Sequence, residues 1–225
     1  MPARLSCILP AFNEAPRIGA VLRNVRGHPL IDEVIVVDDG STDGTAAVVA
    51  GFAGVRLIAL PQNGGKSAAI AAGVQAARHD LLLFLDSDLL GLTPAQLTGL
   101  IRPVLTGQAE VSISLRRNAP LPWRLIGLDY ISGERVVPRR LLPGPAAMAA
   151  LPRFGLEVAM NAVWIAARAR IAVVRWPGVD SPYKHAKRGR LAGIVADLRM
   201  LRDIFATVPL PRVAVQVWHM RRLSL

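Results

Sequence analysis

Five apolar residues in a row, Leu81 to Leu85, run straight into Asp86-Ser87-Asp88, and this junction constrains the fold more than any other stretch of the chain. A short uninterrupted apolar run suits a strand buried on both faces of a parallel sheet. Where such a strand gives way to a loop, two carboxylates one residue apart can turn toward a common point. Mg²⁺ and Mn²⁺ favour oxygen ligands, and Mg²⁺ typically takes only one or two carboxylates together with substrate phosphates. Asp86 and Asp88 therefore suit a metal-bridged diphosphate better than a closed protein cage. Open α/β sheets bind ligands outside the carboxyl ends of their strands, which is where these residues fall.

Upstream, the chain alternates. Leu5 to Leu9 reads as a strand, followed by the loop Pro10 to Glu14 and a helix carrying Ile18, Val21, Leu22 and Val25, with Pro16 in its first turn. Val34 to Val37 leads into the loop Asp38 to Gly44 and a helix with Val48, Val49 and Phe52 on one side. Val55 to Leu60 leads into a Gly-containing loop ending at Lys66, then an Ala-rich helix from Ser67 to Arg78. Strand, loop and helix repeated with short links predict a parallel sheet with right-handed crossovers. The polar loops after these strands then gather on one edge. A single such loop would be ordinary turn chemistry, whereas several converging on one edge favour a site.

The stretches ILPAFNE (Ile8 to Glu14), VIVVDDGSTDGT (Val34 to Thr45), NGGKSAA (Asn63 to Ala69) and FLDSD (Phe84 to Asp88) occur in an order and spacing that resembles the nucleotide-sugar glycosyltransferases of the A-type (GT-A) fold, the family 2-like group. The resemblance implies a single α/β domain with a Rossmann-like, mostly parallel sheet flanked by helices. Its donor-binding half would occupy residues 1–115 and its acceptor-binding half, with a helical tail, residues 116–225. It further implies that Pro10, Ala11, Phe12 and Glu14 line the base and ribose pocket, and that Asp39 with Asp38 contacts the base. Lys66 would lie near the base or the diphosphate and Ser87 beside the nucleotide, with Asp86 and Asp88 holding Mg²⁺ or Mn²⁺, Asp88 most directly. A metal and a lysine would stabilise the charge that develops on the departing phosphate. The alternatives are Phe12 as ordinary core and Lys66 as a solvated helix start.

Thr93-Pro94 reads as a helix N-cap and first turn, Leu97 to Leu105 as the helix, and Glu110 to Leu115 as a strand. From Asp86 onward, DSDLLGLTPAQLTGLIRPVLTG, SISLRRNAP, ISGERVVPRRLL and RFGLEVAMN resemble the glucosyl-3-phosphoglycerate synthases and their bacterial relatives. Counterparts of the longer insertions of those synthases are missing, which leaves phosphoglycerate open as the acceptor. Glu157 falls on an otherwise apolar helix, where a carboxylate needs a partner or a task. The resemblance gives it the donor sugar or the acceptor; the alternative is a structural Glu paired with Arg. An inverting transferase needs a general base, for which Glu157 and Glu134 are the candidates. By the same resemblance a His after the strand Ile171 to Trp176 completes the metal site. His185 is the nearby candidate, although another register places that ligand where Ser181 stands, and a lone His among lysines is ordinarily surface. Leu191 to Phe205 shows the spacing of a further helix.

Charge divides the chain. Residues 1–100 carry 7 Lys/Arg against 9 Asp/Glu, net −2, and residues 101–225 carry 20 against 7, net +13. With the donor diphosphate neutralised by metal and Lys66, the cluster Arg116, Arg117, Arg135, Arg139 and Arg140 is expected to meet a second anion by bidentate contacts, Arg135 foremost. The expected partners are a nucleoside diphosphate sugar donor and an anionic acceptor, either a small molecule or a lipid phosphate such as polyprenyl phosphate. Peripheral contact with an anionic membrane and a second copy of the chain complete the set.

The readings from other classes are a dehalogenase-type phosphatase with Asp86 as nucleophile and a basic nucleic-acid-binding module. Against the second, aromatics make up only 5% of residues and are not interleaved with the arginines. The single Cys7 excludes an internal disulfide, no leader precedes the first strand, and every long apolar stretch is broken before the length of about 18 residues that a membrane span needs. A cytoplasmic location, with contact at the inner membrane face, is the expectation.

Overall fold

The computed structural model describes residues 3–152, 154–182 and 209–225. One seven-stranded sheet runs in the order β3-β2-β1-β4-β6-β5-β7. Strands β1 (Leu5–Ala11), β2 (Glu33–Asp38), β3 (Val55–Ala59) and β4 (Leu81–Phe84) are parallel, as the alternation predicts. They are linked through helices α1 (Ile18–Val25), α2 (Thr45–Ala50) and α3 (Lys66–Ala76).

The apolar run of β4 is explained by cover on both faces. Successive side chains of a strand point to opposite sides. Leu81 and Leu83 pack in one cluster with Ile18, Leu22, Leu97 and Leu100, while Leu82 and Phe84 pack in another with Ile70 and Val74. Each such side chain, fully buried, contributes about 1.5–3 kcal/mol. Helix α4 (Pro94–Leu105) supplies Leu97 and Leu100. Its start is set as expected, the Thr93 N–H donating to Gln96 Oε1 at 2.8 Å.

β5 (Val111–Arg116) and β7 (Ile171–Trp176) pair in parallel, and β6 (Arg135–Pro138) lies between β4 and β5, antiparallel to both. Its register sets Phe84 opposite Arg135 and Leu81 opposite Pro138. The chain therefore enters β6 beside the carboxyl end of β4 and leaves at the far edge of the sheet. There Arg139 donates from Nη1 to Val74 O at 2.7 Å and from Nη2 to Ala77 O at 2.9 Å, closing the end of α3, while Arg140 pairs with Glu110 at 3.6 Å. The expectation of one arginine cluster from Arg116 to Arg140 is thus corrected, because an antiparallel strand carries its last two members away from the site.

The second half adds the short helices α5 (Leu121–Ile126) and α6 (Pro145–Ala149), then α7 (Gly155–Ala166) and α8 (Leu210–Leu223). The spacing from Leu191 to Phe205 lies outside the described residues. Helix α8, unread in the sequence, buries Val213, Val217 and Met220 in the cluster that holds Trp123 and Trp164. Among the described residues no helix is long and apolar enough to cross a membrane.

Candidate active site

Three loops at the carboxyl edge are knotted together by their own polar groups. Asn13, at φ 56°, donates its N–H to Ser41 Oγ at 2.9 Å and accepts from Thr42 N at 2.9 Å. Glu14 N donates to Thr45 Oγ1 at 2.8 Å, and Asp38 Oδ1 accepts from Ser41 N at 3.1 Å. Both carboxylate oxygens of Asp39 are taken by the third loop, each accepting at 2.8 Å, from Gly64 N and Gly65 N. A β-carbon at Gly40 would stand 2.7 Å from Asn63 N, so the second and third loops touch backbone to backbone. Asp39 therefore fixes the loop that launches α3 and its first residue, Lys66.

Around this frame Ala11, Asp38, Asp39 and Ser87 are buried and Pro10 is half-buried. Glu14 is held by Arg17 Nε at 2.6 Å. Phe12 is 44% exposed, so the alternative that made it core is set aside. An exposed ring on this edge is available for stacking.

Lys66 joins the third loop to the end of β4. Its Nζ donates to Asp86 Oδ1 at 2.7 Å and lies 3.3 Å from Glu157 Oε1. Burial works against the ammonium, but the two carboxylates outweigh it and hold its pKa above the ordinary lysine value. Glu157 comes from α7 and is buried with Oε2 unpartnered among the described residues, where Lys66 is the cation in ion-pair contact with it. Gly133 is the floor beneath the pair: a β-carbon there would meet Asp86 Oδ1 at 2.6 Å and Lys66 Nζ at 2.8 Å. The pairing of Phe84 with Arg135 explains this, since residues just before β6 pass beside residues just after β4.

Asp86 has a second cation, Arg116, whose Nη1 lies 3.8 Å from Oδ2. Burial alone would raise the Asp86 pKa; Lys66 and Arg116 bring it below the ordinary value. Asp88 differs. Half-buried, it has no hydrogen bond or ion pair among the described residues, and burial followed by repulsion from Asp86 and Glu14 pushes its pKa up to about 6. A carboxylate in that condition is relieved by a bound cation, so Asp88 fits a metal ligand and Asp86 is already neutralised by protein. The described residues contain no cluster of three or more His, Cys, Asp or Glu side chains able to hold an ion.

Arg116 also reaches Glu134 Oε1 at 3.2 Å, Asp129 Oδ2 at 4.0 Å and the hydroxyl of Ser181. Glu134 is fully buried and accepts from Ser114 Oγ at 2.5 Å and Ser132 Oγ at 3.1 Å, which removes it as a general base. Ser181 is brought in by the backbone pairing of Leu90 with Asp180, at 2.8 and 3.0 Å. His185 lies outside the described residues.

Arg135 does not face this edge. It is 0% exposed, and its guanidinium donates to Ser132 O at 2.6 Å, Tyr130 O at 3.0 Å, Asn161 Oδ1 at 2.7 Å and Glu157 O at 3.4 Å while stacking over Trp164. The expectation that it contacts the acceptor is corrected: its charge staples the loop before β6 to α7. Among the described residues, Arg116 and Arg117 open on this edge together with Arg124 and Arg175, and the four line a cavity of about 230 Å³ with Leu115 and Pro177. Arg124 and Arg175 escaped sequence reading because they lie on different elements, α5 and β7.

The family model for glycosyl transferase family 2 matches residues 6–173, spanning the loops, the Asp86–Asp88 turn and Glu157. This chain belongs to glycosyl transferase family 2. Family 2 relatives include the glucosyl-3-phosphoglycerate synthase of Mycobacterium tuberculosis, 31% identical over 162 residues that cover 67% of this chain and 49% of the relative. The dodecaprenyl-phosphate galacturonate synthase of Rhizobium johnstonii is 30% identical over 123 residues, covering 51% of this chain and 36% of the relative. The chain thus spans half or less of the length of these curated relatives in the matched regions. Among solved structures, the M. tuberculosis synthase in complex with Mn²⁺, UDP-glucose and phosphoglyceric acid superposes with a TM-score of 0.70 at 27% identity, covering 94% of this chain and 80% of that one. The GT-A fold is therefore shown. Family membership and the pinned Asp86 displace the phosphatase and nucleic-acid readings.

Proposed function

We propose that this chain transfers a hexosyl unit from a nucleoside diphosphate sugar, UDP- or GDP-linked, to a phosphorylated acceptor, and that Asp88 would hold the Mg²⁺ or Mn²⁺ the reaction uses. The observation that carries it is the arrangement at the end of β4: Lys66 bridges Asp86 and Glu157, and Asp88 beside them has no hydrogen bond or ion pair among the described residues. The metal, when bound, would neutralise the charge that leaves with the diphosphate. Lys66 supplies a second fixed positive charge at the same place. The unpartnered Oε2 of Glu157 is an acceptor for a sugar hydroxyl. Pro10, Ala11, the exposed Phe12, Glu14, Asp38 and Asp39 form the base and ribose pocket, with Asp39 acting through the loop it holds.

The acceptor's phosphate suits the arginines of β5, α5 and β7. Relatives support this class of acceptor, one named for phosphoglycerate and another for dodecaprenyl phosphate. The test is a thermal-shift series of nucleoside diphosphate sugars with Mn²⁺, in which a ligand at 100 times its Kd adds about 2.7 kcal/mol. It is followed by transfer of labelled sugar to phosphoglycerate and to polyprenyl phosphate. Stabilisation by one donor, lost with EDTA and in Asp88→Ala, is expected; an unchanged melting curve with every donor sinks the proposal.

A further inference from the structure

Helices α5 and α8 pack against the same core and leave apolar residues outside. Trp123 of α5 and Val213, Val217 and Met220 of α8 are buried together; Tyr130, whose ring is 5.6 Å from Trp123, donates its hydroxyl to Gln216 Oε1 at 2.5 Å. The two helices meet where Arg221 reaches the Gly127 cap of α5, 3.7 Å from where a β-carbon would stand. On the outer side of α5, Leu121 is 56% and Leu125 79% exposed, one helical turn apart. On α8, Val215 and Trp218 are more than half exposed, and the Arg222 guanidinium lies 4.7 Å over the Trp218 ring.

Cations lie among these residues. Arg124 stands between the two leucines in α5, and Arg221 and Arg222 close α8. Neither helix has an acid in its first turn, and α5 and α8 contain no Asp or Glu at all. Exposed Leu and Trp set among arginines, without intervening acids, match the boundary between lipid headgroups and acyl chains, where Trp settles and anionic headgroups attract Arg. The surface is next to the site, since Arg124 and Arg116 line one cavity and Arg116 also touches Asp86.

We propose that the outer faces of α5 and α8 form a docking surface for an anionic bilayer, seating the carboxyl edge of the sheet near the headgroup plane. The inference deepens the proposed function, since it makes a lipid phosphate the acceptor within reach. It is tested without donor or turnover, so that its failure leaves sugar transfer standing.

The experiment is cosedimentation of the whole chain with vesicles of phosphatidylcholine alone or mixed with phosphatidylglycerol. Binding to the mixed vesicles at about 0.15 M salt, weakened at about 1 M, is expected. Leu125→Glu and Trp218→Glu, both at exposed positions, should each lower the partition coefficient roughly tenfold. Circular dichroism and the melting temperature should be unchanged in both. Equal binding to neutral vesicles, no binding to either, or binding indifferent to both substitutions overturns the proposal. So does a concentration-dependent dimer in sedimentation velocity that either substitution dissolves, because the surface would then belong to a second copy.

Discussion

The backbone of Gly133 closes on the Asp86 carboxylate so tightly that a β-carbon at position 133 would lie 2.6 Å from Oδ1. The position is therefore coupled to the Lys66–Asp86 pair, not merely to the turn before β6. Gly133→Ala should leave the fold intact, because the atoms it meets are side-chain ends, yet displace the pair. We expect kcat/KM to fall roughly tenfold or more, about 1.4 kcal/mol, with a melting temperature near that of the parent. Parental kinetics in the variant would detach Gly133 from the site.

Asp88 should show its condition through metal binding. With its pKa raised to about 6 by burial and by Asp86 and Glu14, the proton competes with the cation just below neutrality. Mn²⁺ affinity, measured by calorimetry in the presence of nucleoside diphosphate, should fall as pH drops through 6, approaching roughly tenfold per pH unit below it. Asp88→Asn should lose both the affinity and the pH dependence. An affinity that is flat from pH 5 to 7 would place the cation elsewhere.

Arg135 should report on stability rather than on the acceptor. Arg135→Met removes a guanidinium that serves four acceptors in the core, at a cost of about 2–5 kcal/mol in urea unfolding. Arg135→Lys should recover only part of this, since an ammonium cannot reproduce the planar fork. A large rise in acceptor KM with parental stability would reverse the assignment.

Asp129 gives a stability signature in pH. It is fully buried, and its pKa is pushed up to about 6 by burial, with Arg116 opposing and Glu134 adding. An unfolded aspartate titrates near 3.9. Between about pH 4 and 6 the folded chain keeps a proton that the unfolded chain gives up, so this group's contribution falls as pH rises through that window. Asp129→Asn should gain on the parent by about 1–3 kcal/mol across it, read from urea midpoints. A constant difference between the two proteins at all pH values would show that Asp129 stays ionised.

What could be read in advance was what is local. β1 to β4, their loops and the Thr93 cap follow from runs of adjacent residues, and the carboxylates of the Asp86–Asp88 turn announce themselves at the end of an apolar strand. β6 escaped because four residues opening in Arg and closing in Pro carry no alternating pattern. With β6 unseen, Arg135, Arg139 and Arg140 looked like one basic patch, although the strand puts one in the core and sends two to the opposite edge. Gly133 gave no signal, since a close approach between residues 133 and 86 exists only in the folded sheet. Glu157 was legible for the opposite reason: a carboxylate among apolar helix residues is conspicuous, and only the identity of its partner needed the structure.

The antiparallel insertion of β6 also decides where this protein can be cut. Among the described residues β6 alone hydrogen-bonds β4 to β5, so a fragment ending after Arg116 would keep the loops and the Asp86–Asp88 turn but leave β4 without its neighbour from residues 135–138. That bare edge, four apolar residues long, is a template for pairing with other chains. Residues 1–115 are thus not a separable module, and expressed alone they should precipitate.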